Sequence, residues 1–129
     1  MIQANELRIG NWVKAPLWRN EGMHPQKVYS IKQIWGEYFI NYDFKETGCE
    51  FGAKVESEVD PIKLTKEILL NCGFEQDSLH YFKNNGVIIS VEDNHFEAFL
   101  GNNVVVLNYL HQLQNLYFAL TNEELKIEL

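Results

Sequence analysis

"LHYFKNNGVIISVEDNHFEAFLGNNVVVLNY", residues 79–109, decides the fold. Four short runs rich in β-branched and aromatic residues stand in it: "LHYFK", "GVIISVED", "HFEAFL" and "NVVVLNY". Between them come Asn84-Asn85-Gly86, Asp93-Asn94 and Gly101-Asn102-Asn103, residues that accept the positive φ angles of tight turns. The pattern predicts a four-stranded antiparallel meander. "VIISVE" is too apolar for a strand wetted on one side, so it belongs in the middle.

Moving outward, "YLHQLQNLYFAL" (109–120) has helical spacing. Placing successive residues 100° apart gathers Tyr109, Leu110, Leu113, Leu116, Tyr117 and Leu120 into one stripe, which should lie on the meander. The opposite side carries His111, Asn115 and Phe118 beside Gln114 and Ala119. No charge occurs from Ala98 to Asn122, a run of 25 residues, so no side of this helix is built for water. Both sides are expected to meet polypeptide, either the rest of the chain or another molecule. The terminal "ELKIEL" alternates and predicts a last, half-exposed strand.

Upstream, "LTKEILLNCGF" (64–74) reads as a short helix. Thr65 is its cap, Glu67 favours the positive end of the helix dipole, and Gly73 suits a left-handed terminus followed by Phe74. Ile68, Leu69 and Cys72 form its apolar stripe. Asp60-Pro61 is the natural seam.

Before that seam, "NELRIGNWVKAP" predicts a turn into a first strand at Trp12-Val13. Residues 15–26, with two prolines and a glycine, predict a long loop. "KVYSIKQIW" and "EYFINYD" predict a hairpin joined at Gly36-Glu37, and a further strand is expected around 50–58. Several short strands with one long early loop suggest a small bent sheet closing as an SH3-like barrel. The expected architecture is therefore α+β. An SH3-like β-barrel unit (1–60) packs on a C-terminal antiparallel sheet with two helices (61–129).

Three blocks, "NELRIGNWV" (5–13), "PIKLTKEILLNCGF" (61–74) and "YLHQLQNLYFALTNEEL" (109–125), resemble a family of small Bacteroidales proteins found in prophage-like or mobile regions. They cover about 40 of the 129 residues. Members of that family carry Gly where this chain has Asn122, a mild departure at a left-handed helix cap. The resemblance implies a bacterial cytoplasmic setting and supplies no mechanism or functional residue.

The 129 residues include 11 basic and 18 acidic side chains, a net charge of −7, which argues against general affinity for nucleic acid or anionic membranes. Residues 1–36 depart from this trend, with five basic groups against two acidic ones. The two cysteines, Cys49 and Cys72, make no disulfide framework and read as buried thiols of a reducing compartment. Neither a signal peptide nor a membrane-spanning run is expected.

Chemistry is sparse. No local pattern joins Cys49 or Cys72 to His24, His80, His95 or His111 in a nucleophile–base arrangement. His95 and Glu97 share a strand face, but a metal site needs a third ligand, which Asp93 could supply only from a turn that curls back. The acidic pairs Glu56/Glu58, Glu92/Asp93 and Glu123/Glu124 sit in polar context, and no glycine loop cradles a phosphate. No cofactor, metal or catalytic residue is expected. The expected function is a non-catalytic protein-interaction module, phage-related and self-associating. Its contact surface is drawn from Trp18, Arg19 and His24 in the early loop, and from His111, Asn115 and Phe118 on the uncharged helix. Trp12 and Trp35 are expected in the core. The alternative is a nucleic-acid accessory protein using the aromatic and basic N-terminal third, where Trp12, Trp18, Tyr29 and Trp35 alternate with Arg8, Lys14, Arg19, Lys27 and Lys32.

Overall fold

In a computed structural model, residues 2–16, 23–44 and 49–129 are described, those of 42–44 and 49–52 for their backbone alone. The chain is α+β and divides into two compact units, Met1–Ile62 and Lys63–Leu129.

The first unit opens on a single 3-10 turn, Ala4–Glu6, followed by β1 (Trp12–Pro16), β2 (Met23–Ile34), β3 (Glu37–Phe44), β4 (Cys49–Lys54) and the one-turn helix α1 (Val55–Glu58). The four strands form an antiparallel meander in sequence order. Strand β2 is long because it serves two neighbours in turn. Met23–Lys27 pair with β1, and Val28–Ile34 pair with β3. A register shift between Val28 and Ser30 marks the handover, and such bulges bend a strand. After α1 the chain returns to β1, where Asp60 and Lys14 exchange backbone hydrogen bonds of 2.8 and 2.9 Å. The result is a half-barrel sheet. Val13, Ala15, Val28, Ile40, Ala53, Val55 and Val59 fill its core with Ile2 and Leu7. Each fully buried aliphatic chain of this kind contributes about 1.5–3 kcal/mol.

The early loop is shorter than expected, because Ala15, Pro16 and Met23–Gln26 are paired strand. Pro25 lies inside β2 opposite Lys14, whose own N–H and carbonyl are bonded to Asp60, so no ladder hydrogen bond to β1 calls for an N–H at Pro25. A missing N–H is harmless at such a position. The strand expected to run to residue 58 stops at Lys54, where Glu58 Oε1 accepts the Lys54 N–H at 3.0 Å and the chain turns into α1.

The second unit contains α2 (Lys66–Asn71), β5 (Glu75–Gln76), β6 (Tyr81–Asn84), β7 (Val87–Glu92), β8 (His95–Leu100), β9 (Asn103–Leu107) and α3 (Leu110–Thr121). The expected meander is β6–β9, extended at one edge by the two residues of β5, and β7 is central. Local signals explain most of it. Thr65 Oγ1 accepts the Ile68 N–H at 3.1 Å to cap α2. Gly73 at φ +86° and a Phe74 N–H bonded to the Leu69 carbonyl close its far end. At the start of α3, Gln112 Oε1 accepts the N–H groups of Asn108 and Tyr109 at 2.8 and 3.1 Å, and Asn122 ends the helix at φ +59°. One sheet face buries Phe82, Val87, Ile89, Val91, Phe96, Ala98 and Leu107; Leu110, Leu113 and Tyr117 of α3 are buried too, with Tyr117 edge-on to Phe74. The final strand is absent: residues 122–129 adopt no regular structure, although Leu125 is buried. Alternation there positions a single anchoring leucine without a partner strand.

Among the described residues, no helix is long and apolar enough to cross a membrane.

Candidate interaction surface

Trp18 and Arg19 lie outside the described residues. His24 is half-buried on β2 opposite Ala15, on paired strand and not on a loop. His111 is 0% exposed and stacks on Tyr109, with ring centroids 5.9 Å apart, and Gln114 is 1% exposed. Asn115 and Phe118 are half-buried. The uncharged face of α3 is therefore withdrawn from solvent at His111 and Gln114, half-covered at Asn115 and Phe118, and exposed at Ala119.

Nucleophilic and metal-binding chemistry is not assembled among the described side chains. Burial raises the Cys72 thiol to about 11, which keeps it protonated and unreactive at neutral pH. His80 Nδ1 lies 3.3 Å from the Val91 carbonyl. His95 Nε2 and Glu97 Oε1 meet each other at 2.8 Å, so the two strand-face ligands are mutual partners. No group of three or more His, Cys, Asp or Glu able to hold a metal occurs among the described residues. An open cleft of about 670 Å³, lined by residues including Cys72, Asn84, Tyr117, Glu123 and Lys126, gathers polar groups without a nucleophile–base pair.

The feature that stands out is the tip of the β2–β3 hairpin. Ile34 pairs with Glu37, so Trp35 and Gly36 are the two turn residues. The sequence places that joint one residue later because tryptophan is not a turn former. Trp35 has φ +53° and Gly36 φ +79°, the pair of positive angles that marks a type I′ turn. Left-handed backbone costs an ordinary L-residue about 1–2 kcal/mol, least for Gly, Asn and Asp. Trp35 recovers none of this by packing, since it is 97% exposed. The expectation that it is core is thus overturned: the pairing of its neighbours lifts it beyond the sheet. Trp12, expected in the core as well, is half-buried.

Around Trp35, Ile34 is 48% exposed and Tyr38 is also exposed. Glu37, next to the turn, is bound by Lys54 Nζ at 2.7 Å, and this hydrogen bond, ahead of the attraction of Glu37, Glu56 and Glu58, raises the lysine pKa. The tip is consequently apolar and aromatic, with its adjacent carboxylate held in an ion pair. The sequence signal for it was available: Trp-Gly between two strand-like runs, where Asn-Gly would be the comfortable choice.

No family model, curated protein or solved structure matches this chain.

Proposed function

We propose that this protein is a non-catalytic interaction module that holds a protein partner through the Trp35 hairpin tip. The observation that carries the reading is a large aromatic side chain fully in water, on a backbone conformation that disfavours it. A tryptophan so placed is costly to the isolated fold and well suited to anchor an interface, where tryptophan is among the commonest energetic centres. Ile34 flanks the ring on one sheet face, beside the Lys54–Glu37 pair, and Tyr38 flanks it on the other. The pairing of Lys54 with Glu37 and the net charge of −7 favour a protein over a nucleic acid, which needs phosphate neutralisation for affinity. The N-terminal unit is read as an open SH3-like barrel, supported by the bent β2 and by the return of Asp60 onto β1. The family resemblance supports a phage-related, cytoplasmic setting.

The test is affinity capture from a bacterial lysate with wild type and Trp35→Asn, followed by reconstitution with the purified captured protein and titration by tryptophan fluorescence. Capture by wild type, its loss in Trp35→Asn and a blue shift on reconstitution support the reading. Equal capture by both proteins removes it. Quenching by single-stranded oligonucleotide that weakens steeply with salt would favour the nucleic-acid alternative instead.

A further inference from the structure

Sheet edges expose unpaired backbone groups, and folded proteins guard them with charge, proline, bulges or shortness. Three of the four edges here are guarded. Edge β1 carries Lys14 and Pro16 and is met by Asp60. The sequence of β4 includes Glu50, Gly52 and Lys54. Edge β5 is two residues long, Glu75 and Gln76. The fourth, β9, reads Asn-Val-Val-Val-Leu and has none of these protections. Lys63 and Leu64 run beside the chain past its end, at Asn108 and Tyr109, and among the described residues Asn103–Leu107 pair with β8 alone.

We propose that β9 pairs antiparallel with β9 of a second copy of this chain, joining two five-stranded sheets across a two-fold axis. This inference is independent of the hairpin reading. Antiparallel pairing of a strand with itself is isologous. With the axis at Val105, Val104 of each copy stands opposite Val106 of the other on the same sheet face. Val104 and Val106 are 50% and 46% exposed, and the same face carries the exposed Phe99 and Tyr81, whose rings lie 6.1 Å apart. Pairing gives each exposed valine an apolar cross-strand neighbour.

Charge selects this edge for a like copy. Residues 63–129 hold four lysines against nine carboxylates, a net charge of −5, so two such units repel over most of their surfaces. The strand itself lies inside the uncharged run Ala98–Asn122, and the nearest carboxylate on the same face, Glu97 opposite Val106, is one strand back from the edge and is held by His95 Nε2 at 2.8 Å. Five paired residues cover an area well below the roughly 1,200 Å² of a standard interface, so the dimer is weak and depends on concentration.

Sedimentation velocity on the full chain, from about 5 µM to about 500 µM, tests this against the weak-interface range. The expected result is a shift from one to two chain masses in wild type, and one chain mass at every concentration for Val104→Lys with unchanged circular dichroism. Trp35→Ala should dimerise as wild type does. Should the lysine variant misfold, hydrogen exchange on wild type decides: amides of 103–107 slow as concentration rises. A wild type that stays monomeric overturns the proposal, as does a dimer that survives Val104→Lys, is lost in Trp35→Ala, or forms without slowing those amides.

Discussion

Two hairpins in this molecule turn on the same backbone with opposite choices of residue. At the tip of β6–β7, Asn85 and Gly86 have φ of +50° and +83°; at the tip of β2–β3, Trp35 and Gly36 have +53° and +79°. Asparagine tolerates that conformation and tryptophan does not, so the first turn follows local preference and the second defies it. A third turn, Asp93-Asn94 at +49° and +62°, sides with the first. Local sequence and global fold agree through the β6–β9 meander and conflict at one point in the N-terminal unit. Conflicts of this kind mark places where something other than folding selects the residue.

Several measurements sharpen or break that contrast. The largest effect concerns Cys72, which the sequence puts on a core stripe and the fold buries. Its thiol is raised from 9.0 to about 11, so in a Cys49→Ser background at pH 8 the native protein should react with a thiol reagent about a hundredfold more slowly than the unfolded chain. The sign follows from the raised value: the neutral thiol is the form the fold accommodates. Its contribution is complete below the unfolded pKa and is lost as pH climbs through the folded one. Equal reaction rates would show that the C-terminal core opens readily.

Next come the glycines. An added Cβ would meet nothing within 4 Å at Gly36 or Gly86, so the cost of substitution is purely conformational. Gly36→Val and Gly86→Val should each destabilise by about 2 kcal/mol in denaturant unfolding, and by similar amounts. A silent Gly36→Val would mean that the two turns differ. At the small end, Glu37→Gln breaks only an exposed ion pair and should change stability by less than about 0.5 kcal/mol. A larger loss would show that the pair holds the hairpin tip in shape.

What the sequence made legible follows the same division. The β6–β9 turns, the Thr65 cap, the Gly73 and Asn122 helix ends and the central place of β7 were readable because each rests on a residue whose local preference matches its position. The start of β2 was not, since Pro25 reads as a loop residue until its place opposite Lys14, itself bonded to Asp60, is seen. Nor was the end of the chain, where Leu125 is buried without a strand. The lack of charge on α3 predicts no face made for water; His111 and Gln114 are buried, whereas Ala119 and Leu120 near its end are exposed. Trp35 was the harder case. Composition assigns a tryptophan to the core, and only the pairing of Ile34 with Glu37 lifts it out.

The central claim is that Trp35 is kept for contact and not for the fold, and one substitution asks this directly. Denaturant unfolding of Trp35→Asn against wild type should show the variant more stable by about 0.5–1 kcal/mol, because asparagine suits the turn and no packing is lost. A variant less stable than wild type by 1 kcal/mol or more would show that Trp35 supports the structure, and the account of the hairpin as a binding tip would be contradicted.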